Sequence, residues 1–154
     1  MHVEWTTDKN LILSTIRHPD IYNLVADDTC GKAEKFDIPP FDDIFFAAAC
    51  YKGDAYVGCF CFIKKSEDEA EVHTCLLPDA KGLAVEFSML MAKLMFNTMK
   101  YSKISTFIPD FNILARNLAR KVGFKYICDD EPFIIDGTAH KSKRYILTLE
   151  DICQ

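Results

Sequence analysis

The stretch "EVHTCLLP", residues 71 to 78, sets a carboxylate, an imidazole and a thiol two residues apart from one another. If it is a strand, Glu71, His73 and Cys75 share one face, because successive side chains point to opposite sides. A carboxylate next to an imidazole can hold and move a proton near neutral pH. A histidine on a strand can equally be a hydrogen-bonded structural residue. A rival chemistry uses the same face: if the "KKSEDE" turn closes the hairpin symmetrically, Cys59 lies opposite Cys75 and Cys61 opposite His73. Three thiols and an imidazole would then gather in one place, but C-x-C facing H-x-C is not a common zinc spacing, and no metal is assigned. A second stretch, "NILARNLARKVGFK" at 112–125, has small residues one helical turn apart at Ala115 and Ala119, a basic last turn, and then Gly123. Gly123 fits a left-handed C-cap, and Arg120 and Lys121 complement the helix dipole. The small face leaves room for a close backbone or a slender ligand.

The elements that must position these residues follow from hydrophobic period and turn chemistry. A short opening strand precedes "TTDKNLILSTIRHPDIYNLVADD", where apolar residues at 11, 12, 13, 16, 21, 24 and 25 are interrupted at His18-Pro19, predicting two short helices around a bend. Residues 29–43, with Gly31, Pro39 and Pro40, read as a loop. Three apolar runs separated by "YKGD" and "KKSEDE" predict an antiparallel meander. "GLAVEFSMLMAKLMFNTMK" predicts a long helix with residues 87, 90, 91, 94 and 95 as its buried stripe, its methionines filling the core. "KISTFIP" is a strand, the alanine-faced helix follows, and "FKYIC" and "RYILTLE" form a closing pair joined by the polar loop "DDEPFIIDGTAHKS". The fold class is therefore α+β, a mostly antiparallel sheet of about six or seven strands with about four helices, in a single domain over 1–154.

Composition excludes several classes. The 154 residues suffice for one self-supporting core, with 49% hydrophobic and 27% charged residues. No run is apolar over the ~18 residues that a membrane span needs. A formal charge of -5 argues against nonspecific nucleic-acid binding, and the "KSKR" run at 141–144 is too short to reverse that. Seven cysteines, an odd and scattered set, predict free thiols in a reducing cytoplasm rather than a disulfide framework. The chain is expected to act as a monomer or homodimer.

The element order and two motifs resemble the GNAT superfamily of acyl-CoA N-acyltransferases. "NILARNLARKVGF" is similar to that family's N-x-x-A-x-x-L-x-x-x-x-G-F element, and "LLPDAKGLAVEF" to its strand end, Pro, and Arg/Gln-x-x-Gly-x-Gly/Ala loop opening a helix. The N-terminal stretch and "EVHTCLLP" look most like small GNAT-type proteins of tailed bacteriophages, which would put the protein in the host cytoplasm. The resemblance implies acetyl-CoA as cofactor and an amine as acceptor. Its pantetheine arm would run between splayed strands, here 70–77 and 103–108, and over Ala115 and Ala119. Asn112 would face it or cap its helix. Amides near residue 76, at Leu76 and Leu77, would polarise the thioester carbonyl, and the loop Lys81, Gly82, Leu83 and Ala84 would cradle the pyrophosphate. Ala84 and Glu86 depart from the family pattern, where a glycine and a Gly/Ala stand. Ala119 occupies the place where the family often carries a tyrosine acid, so Tyr126 and Tyr145 become the substitute acids, with His73 or Glu71 as base. The bend at His18-Pro19 and the segment 129–143 would frame the acceptor, with Asp20, Asp27, Asp28, Asp129, Asp130 and Glu131 suiting a cationic amine. The function implied is an N-acetyltransferase; the alternative is a catalytically silent GNAT-shaped phage protein acting in assembly or host interaction.

Overall fold

The computed structural model describes residues 1–153. Strand β1 (His2–Thr6) leads to helix α1 (Lys9–Ile16) and helix α2 (Pro19–Val25). The Asp8 carboxylate accepts from the Leu11 N–H to start α1, and His18 Nδ1 accepts from the Asp20 N–H to start α2 with Pro19 in its first turn. This is the expected bend: Pro19 has no N–H to continue a helix but suits the start of one. Residues 29–43 run as a loop with two short 3₁₀ turns.

The meander is β2 (Phe45–Lys52), β3 (Ala55–Lys64) and β4 (Glu69–Leu76). Its register pairs Cys59 with Cys75 and Cys61 with His73, as symmetric closure of the hairpin requires. Gly58 holds φ +144, and a Cβ there would lie 2.5 Å from the Cys75 carbonyl oxygen, so the close passage of β3 against the end of β4 needs glycine. Helix α3 (Ala84–Lys93) buries Phe87, Ser88, Met91 and Ala92, and continues into a π-helical turn over Leu94–Thr98 that buries Met95 and Phe96. Leu90 and Leu94 are only half-buried, so the stripe is displaced from the one expected. Then come β5 (Lys103–Pro109), helix α4 (Ile113–Val122), β6 (Lys125–Ile135), β7 (Thr138–Thr148) and a terminal turn of helix α5 (Leu149–Ile152).

The end of the chain departs from expectation. In place of a polar loop, β6 and β7 run on to a two-residue turn at Asp136-Gly137, both with positive φ (50° and 74°). Asp-Gly is the residue pair that a tight primed hairpin turn requires, and its signal outweighs the polar composition of the flanking residues. Both turn N–H groups donate to the Asp28 carboxylate at 2.8 Å, which ties the hairpin tip to the loop after α2.

All seven strands form one sheet in the order β1-β2-β3-β4-β5-β7-β6, antiparallel except at β4–β5. One face carries α3 and α4 over Phe60, Phe62, Val72, Ile104 and Leu147. The other carries α1, α2 and the loop over Phe45, Cys59, Cys61 and Cys75. The parallel pair holds only from Glu69 to Glu71 against Lys103 to Ser105. Beyond those residues β4 and β5 diverge, and the gap between them is where a site can form.

Candidate active site

The floor of the gap is set by strand alternation. The Leu77 N–H donates to the Val57 carbonyl at 2.9 Å, so odd-numbered amides of β4 point to β3, and those of Thr74 and Leu76 point toward β5, past the end of its pairing. The Leu76 N–H therefore points out of the β3–β4 ladder, as polarising a carbonyl in the gap would require. That of Leu77 does not, because this donor is already satisfied within the sheet.

Under this edge lies α4. Asn112 Oδ1 accepts from the Ala115 N–H at 3.1 Å, so the capping role is the one seen. Ala115, Leu118, Ala119 and Val122 of α4, with Ser88 and Met91 of α3 and Thr106 to Pro109 of β5, line a cleft that Asn112 also borders. The small face of α4 thus forms one wall of a groove. Gly123 (φ 110°) ends the helix as expected, its N–H reaching the Ala119 and Arg120 carbonyls.

At the mouth of the groove, Gly82 takes φ +83 with open space around it, and α3 begins at Ala84 with no side-chain cap on its first turn. The left-handed geometry belongs to Gly82, so alanine at 84 costs nothing. The first N–H groups of α3 remain available to an anion. Lys81 is exposed beside them, and so is Glu86, in the first helical turn. Exchanging Glu86 for glutamine removes a charge that repels a diphosphate. Isothermal titration of Glu86→Gln should give severalfold tighter acetyl-CoA binding at low salt, with the gain shrinking as salt screens the site. The same change should cost the helix about 0.3–1 kcal/mol of dipole stabilisation.

On the α1/α2 side of the same strands, Glu71 is 4% exposed and fully engaged. Its Oε1 meets His73 Nε2 at 3.1 Å, and its Oε2 meets Arg144 Nη2 at 3.2 Å, with Lys65 Nζ at 3.8 Å. Burial alone would raise the Glu71 carboxyl, but the His73 hydrogen bond and the charges of Lys65 and Arg144 outweigh it and hold it below its ordinary value. Arg144 also pairs with Asp130 at 2.8 Å, and these carboxylates, against the opposing cost of burial, raise its guanidinium above its ordinary value. Glu71 is thus a fixed anion rather than a free base. It orients His73, whose ring stands edge-on to Phe107 at 5.6 Å between centroids.

Arg144 went unnoticed in the sequence because it ends the "KSKR" run, which reads as solvated charge. Alternation along β7 was the available signal, since it turns Ser142 and Arg144 inward, where Ser142 is 1% exposed. Glu71 keeps His73 and Lys65 when Arg144 is lost, so Arg144→Met should destabilise the fold by roughly 1.5–3 kcal/mol, the worth of a charged hydrogen bond. The loss has a defined pH sense. A carboxyl lowered in the folded state contributes stability above its unfolded value, and that contribution disappears as pH falls through the folded value. Urea titrations should therefore show a large Arg144→Met deficit at pH 7 that shrinks at acid pH.

The remaining candidates divide clearly. Tyr126 is exposed, and its hydroxyl donates to Asp129 Oδ1 at 3.1 Å, a bond that raises its phenol above the ordinary value. Tyr145 stacks edge-on against Tyr126 at 6.2 Å. Neither lines the groove: Tyr145 lies on β7 directly opposite the groove-lining Thr106, and Tyr126 lies one strand further out on β6. Of the acidic residues expected to frame the acceptor, Asp27 caps a 3₁₀ turn, Asp28 binds the hairpin tip, Asp129 accepts from Tyr126 and Asp130 pairs with Arg144. Cys59, Cys61 and Cys75 do come together, within the second core. Hydrogen bonding to Cys59, together with burial, keeps the Cys61 and Cys75 thiols above their ordinary values. His73 Nε2 is turned to Glu71, and among the described residues no cluster has the geometry of a metal site.

Behind His73, between the sheet and α1, α2 and the loop, is a second, apolar cavity of about 400 Å³. Val25, His73, Phe107 and Phe133 line both it and the groove over α4. The imidazole therefore stands at the junction of a slender groove and a greasy pocket, with one nitrogen held by a buried carboxylate. Such an arrangement can bring an elongated donor and a second substrate to one proton acceptor.

A family model described as acetyltransferase (GNAT) domain matches residues 11–125. By sequence, no curated protein matches the chain. Among solved structures, a chimera of the spermidine N-acetyltransferase SpeG from Vibrio cholerae and hSSAT superposes with TM-score 0.77 at 13% identity, covering 100% of both chains. The Vibrio cholerae spermidine N-acetyltransferase in complex with CoA and spermine gives 0.75 at 15% identity over 99% of each chain. The Campylobacter jejuni N-acetyltransferase PseH in complex with acetyl coenzyme A gives 0.60 at 15% identity over 70% of each. No helix among the described residues is long and apolar enough to cross a membrane.

Proposed function

Because the chain belongs to the GNAT acetyltransferase family, with the match spanning residues 11–125, we propose that it is an active N-acetyltransferase in which His73 is the base. The observation that carries this reading is that Val25, His73, Phe107 and Phe133 line the groove and the apolar cavity together, so a thioester laid in the groove and an amine in the cavity meet beside the imidazole.

The residues of the groove fit acetyl-CoA. Ala115 and Ala119 leave width for a pantetheine arm, the Thr74 and Leu76 amides face its path, and the uncapped start of α3 with Lys81 offers donors and charge to a diphosphate. Acetyl-CoA supplies an activated acyl group on a thiol leaving group. His73, oriented by Glu71, takes the proton of the incoming ammonium directly or through water, and the freed amine lone pair forms the amide as the C–S bond breaks. The amides of Thr74 and Leu76 stabilise negative charge developing on the carbonyl oxygen. Forming the amide releases a second proton from the attacking nitrogen, and because Ala119 donates nothing, that proton passes to the departing thiolate directly or through water.

The free thiols and the resemblance of residues 5–28 and 71–78 to phage-encoded members support a role in a host cytoplasm. Thermal unfolding tests the reading. Acetyl-CoA at a hundred times its dissociation constant should add ~2.7 kcal/mol and raise the midpoint by several degrees. No shift at millimolar acetyl-CoA would leave a catalytically silent interaction protein as the better reading.

A further inference from the structure

A pocket of about 550 Å³ lies at the end of the meander away from the gap, and it shares no residue with the groove or the apolar cavity. Trp5 of β1, Phe46 of β2, and Phe41, Met99 and Tyr101 from adjoining loops form its apolar wall. Contacts with Phe46 and Phe62, at 5.7 and 5.9 Å between centroids, hold the Trp5 indole, which stays 37% exposed. The charged residues on the pocket are Asp42, Asp43, Glu67 and Lys64. Lys64 Nζ is engaged by Glu67 at 2.9 Å. Asp42 Oδ1 accepts from the Phe45 and Ile44 N–H groups, both at 2.8 Å, and these bonds hold its carboxyl below the ordinary value. Its second oxygen and the exposed Asp43 carboxylate have no partner among the described residues. Tyr101 is 9% exposed, and its hydroxyl also bonds to no group among the described residues. Burial raises its phenol above the ordinary value, and the charges that bear on it are those of Lys64, Glu67 and Asp43, so the hydroxyl faces this pocket.

A polar group nine-tenths buried without a partner is unusual, and here it sits beside two carboxylates that no cation balances. The group that completes this arrangement carries a positive charge, several N–H donors and a flat face to lay on an indole. A guanidinium has all three. A lysine ammonium lacks the plane, and a quaternary ammonium has no N–H for the Tyr101 hydroxyl or the carboxylates. The apolar surface also runs on past the pocket. Met99 is 41% exposed on its wall, and Ile44, 56% exposed, adjoins it through its carbonyl, which accepts from the Lys64 N–H at 2.8 Å. A free guanidine would leave that surface uncovered, whereas the apolar neighbours of an arginine in a peptide would cover it. We propose that this pocket docks an arginine side chain of a partner peptide, its guanidinium between Trp5, the Tyr101 hydroxyl and the Asp42 and Asp43 carboxylates, with flanking apolar residues on Met99 and Ile44.

Trp5 is the one tryptophan of the chain, so its fluorescence reports on this pocket. The full chain is titrated with acetyl-Leu-Arg-Leu-amide and with the same peptide carrying citrulline, which keeps the shape of arginine without its charge. Neither peptide has a free amine to be acetylated, so the result does not depend on acyl transfer. The arginine peptide should give a saturable change in Trp5 emission, with a dissociation constant at least tenfold below that of the citrulline peptide and a difference that shrinks as salt is raised. Asp43→Asn should weaken the arginine peptide tenfold or more and leave the citrulline peptide unchanged. Tyr101→Phe should weaken it severalfold with no loss of stability, because the hydroxyl has no partner in the free chain. If either variant does not fold, the comparison of the two peptides on the wild type still decides. Equal affinity for the two peptides, or no response to either, overturns the assignment. So does tighter binding of the peptide with trimethyllysine in place of arginine, which would make the pocket a quaternary-ammonium site. Binding of Nα-acetylarginine amide as tight as that of the arginine peptide also overturns it and leaves a small guanidine as the ligand.

Discussion

His73→Ala should lower single-turnover acetylation by about 10²–10⁴, the loss expected when a positioned general base is removed, while acetyl-CoA affinity stays close to wild type. The separation follows from geometry. His73 borders the groove at its junction with the apolar cavity, whereas the groove's length is built from α4, α3 and β5. The pH profile gives an independent readout. A base must be deprotonated to act, so the wild-type rate should rise with pH along an acid limb that is absent from His73→Ala. Glu71→Gln should have a smaller effect, because glutamine can still hold the ring but no longer offsets the charge it gains. Glu71 is thus a positioning residue. If His73 instead serves only the hydrogen bond to Glu71, its loss will cost stability, with the rate per folded molecule unchanged from pH 6 to 9. That outcome would remove it from the mechanism.

The parts of this site visible in the sequence are those fixed by short-range rules. A symmetric "KKSEDE" hairpin determines which residues of β3 and β4 face one another, so the Cys59–Cys75 and Cys61–His73 pairs follow from the turn alone. Alternation then places Glu71 and His73 on the same side. Helical spacing does the same for Ala115 and Ala119, and the Asn112 cap and Gly123 stop lie within one turn of the residues they act on. What could not be read is long-range. Arg144 reaches Glu71 across 73 positions of chain, and a basic run looks the same in sequence whether it faces water or a buried carboxylate. The Asp136-Gly137 turn is a local signal, but it stood inside a polar stretch whose strands are stabilised by pairing with each other rather than by an apolar face. Tyr126 and Tyr145 lie within the stretches read as strands. That Tyr145 falls directly opposite Thr106, and Tyr126 one strand further out, depends on β7 lying between β5 and β6, an order that no local pattern encodes.

Filling the groove should abolish acetyl-CoA binding. Ala115 is half-buried on α4, with its side chain on the groove and its N–H held by Asn112, so a larger residue projects into the path without disturbing the cap. Tryptophan there occupies the width that alanine leaves for the pantetheine arm. If the dissociation constant rises a hundredfold or more, a cofactor concentration that gives the wild type ~2.7 kcal/mol gives Ala115→Trp no more than about 0.4 kcal/mol, which a thermal melt does not distinguish from no shift. The neighbouring change Leu114→Trp supplies the control. Leu114 is 79% exposed and does not line the groove, so its replacement should leave the full shift in place while reporting any general cost of tryptophan on this helix. Circular dichroism and the unliganded midpoint establish that both variants fold. Retention of more than half the wild-type shift by folded Ala115→Trp would mean that the arm runs elsewhere. The splay of β4 from β5 would then be a feature of the fold without a role in binding, and the reading of His73 as a base beside the thioester would lose its geometric support.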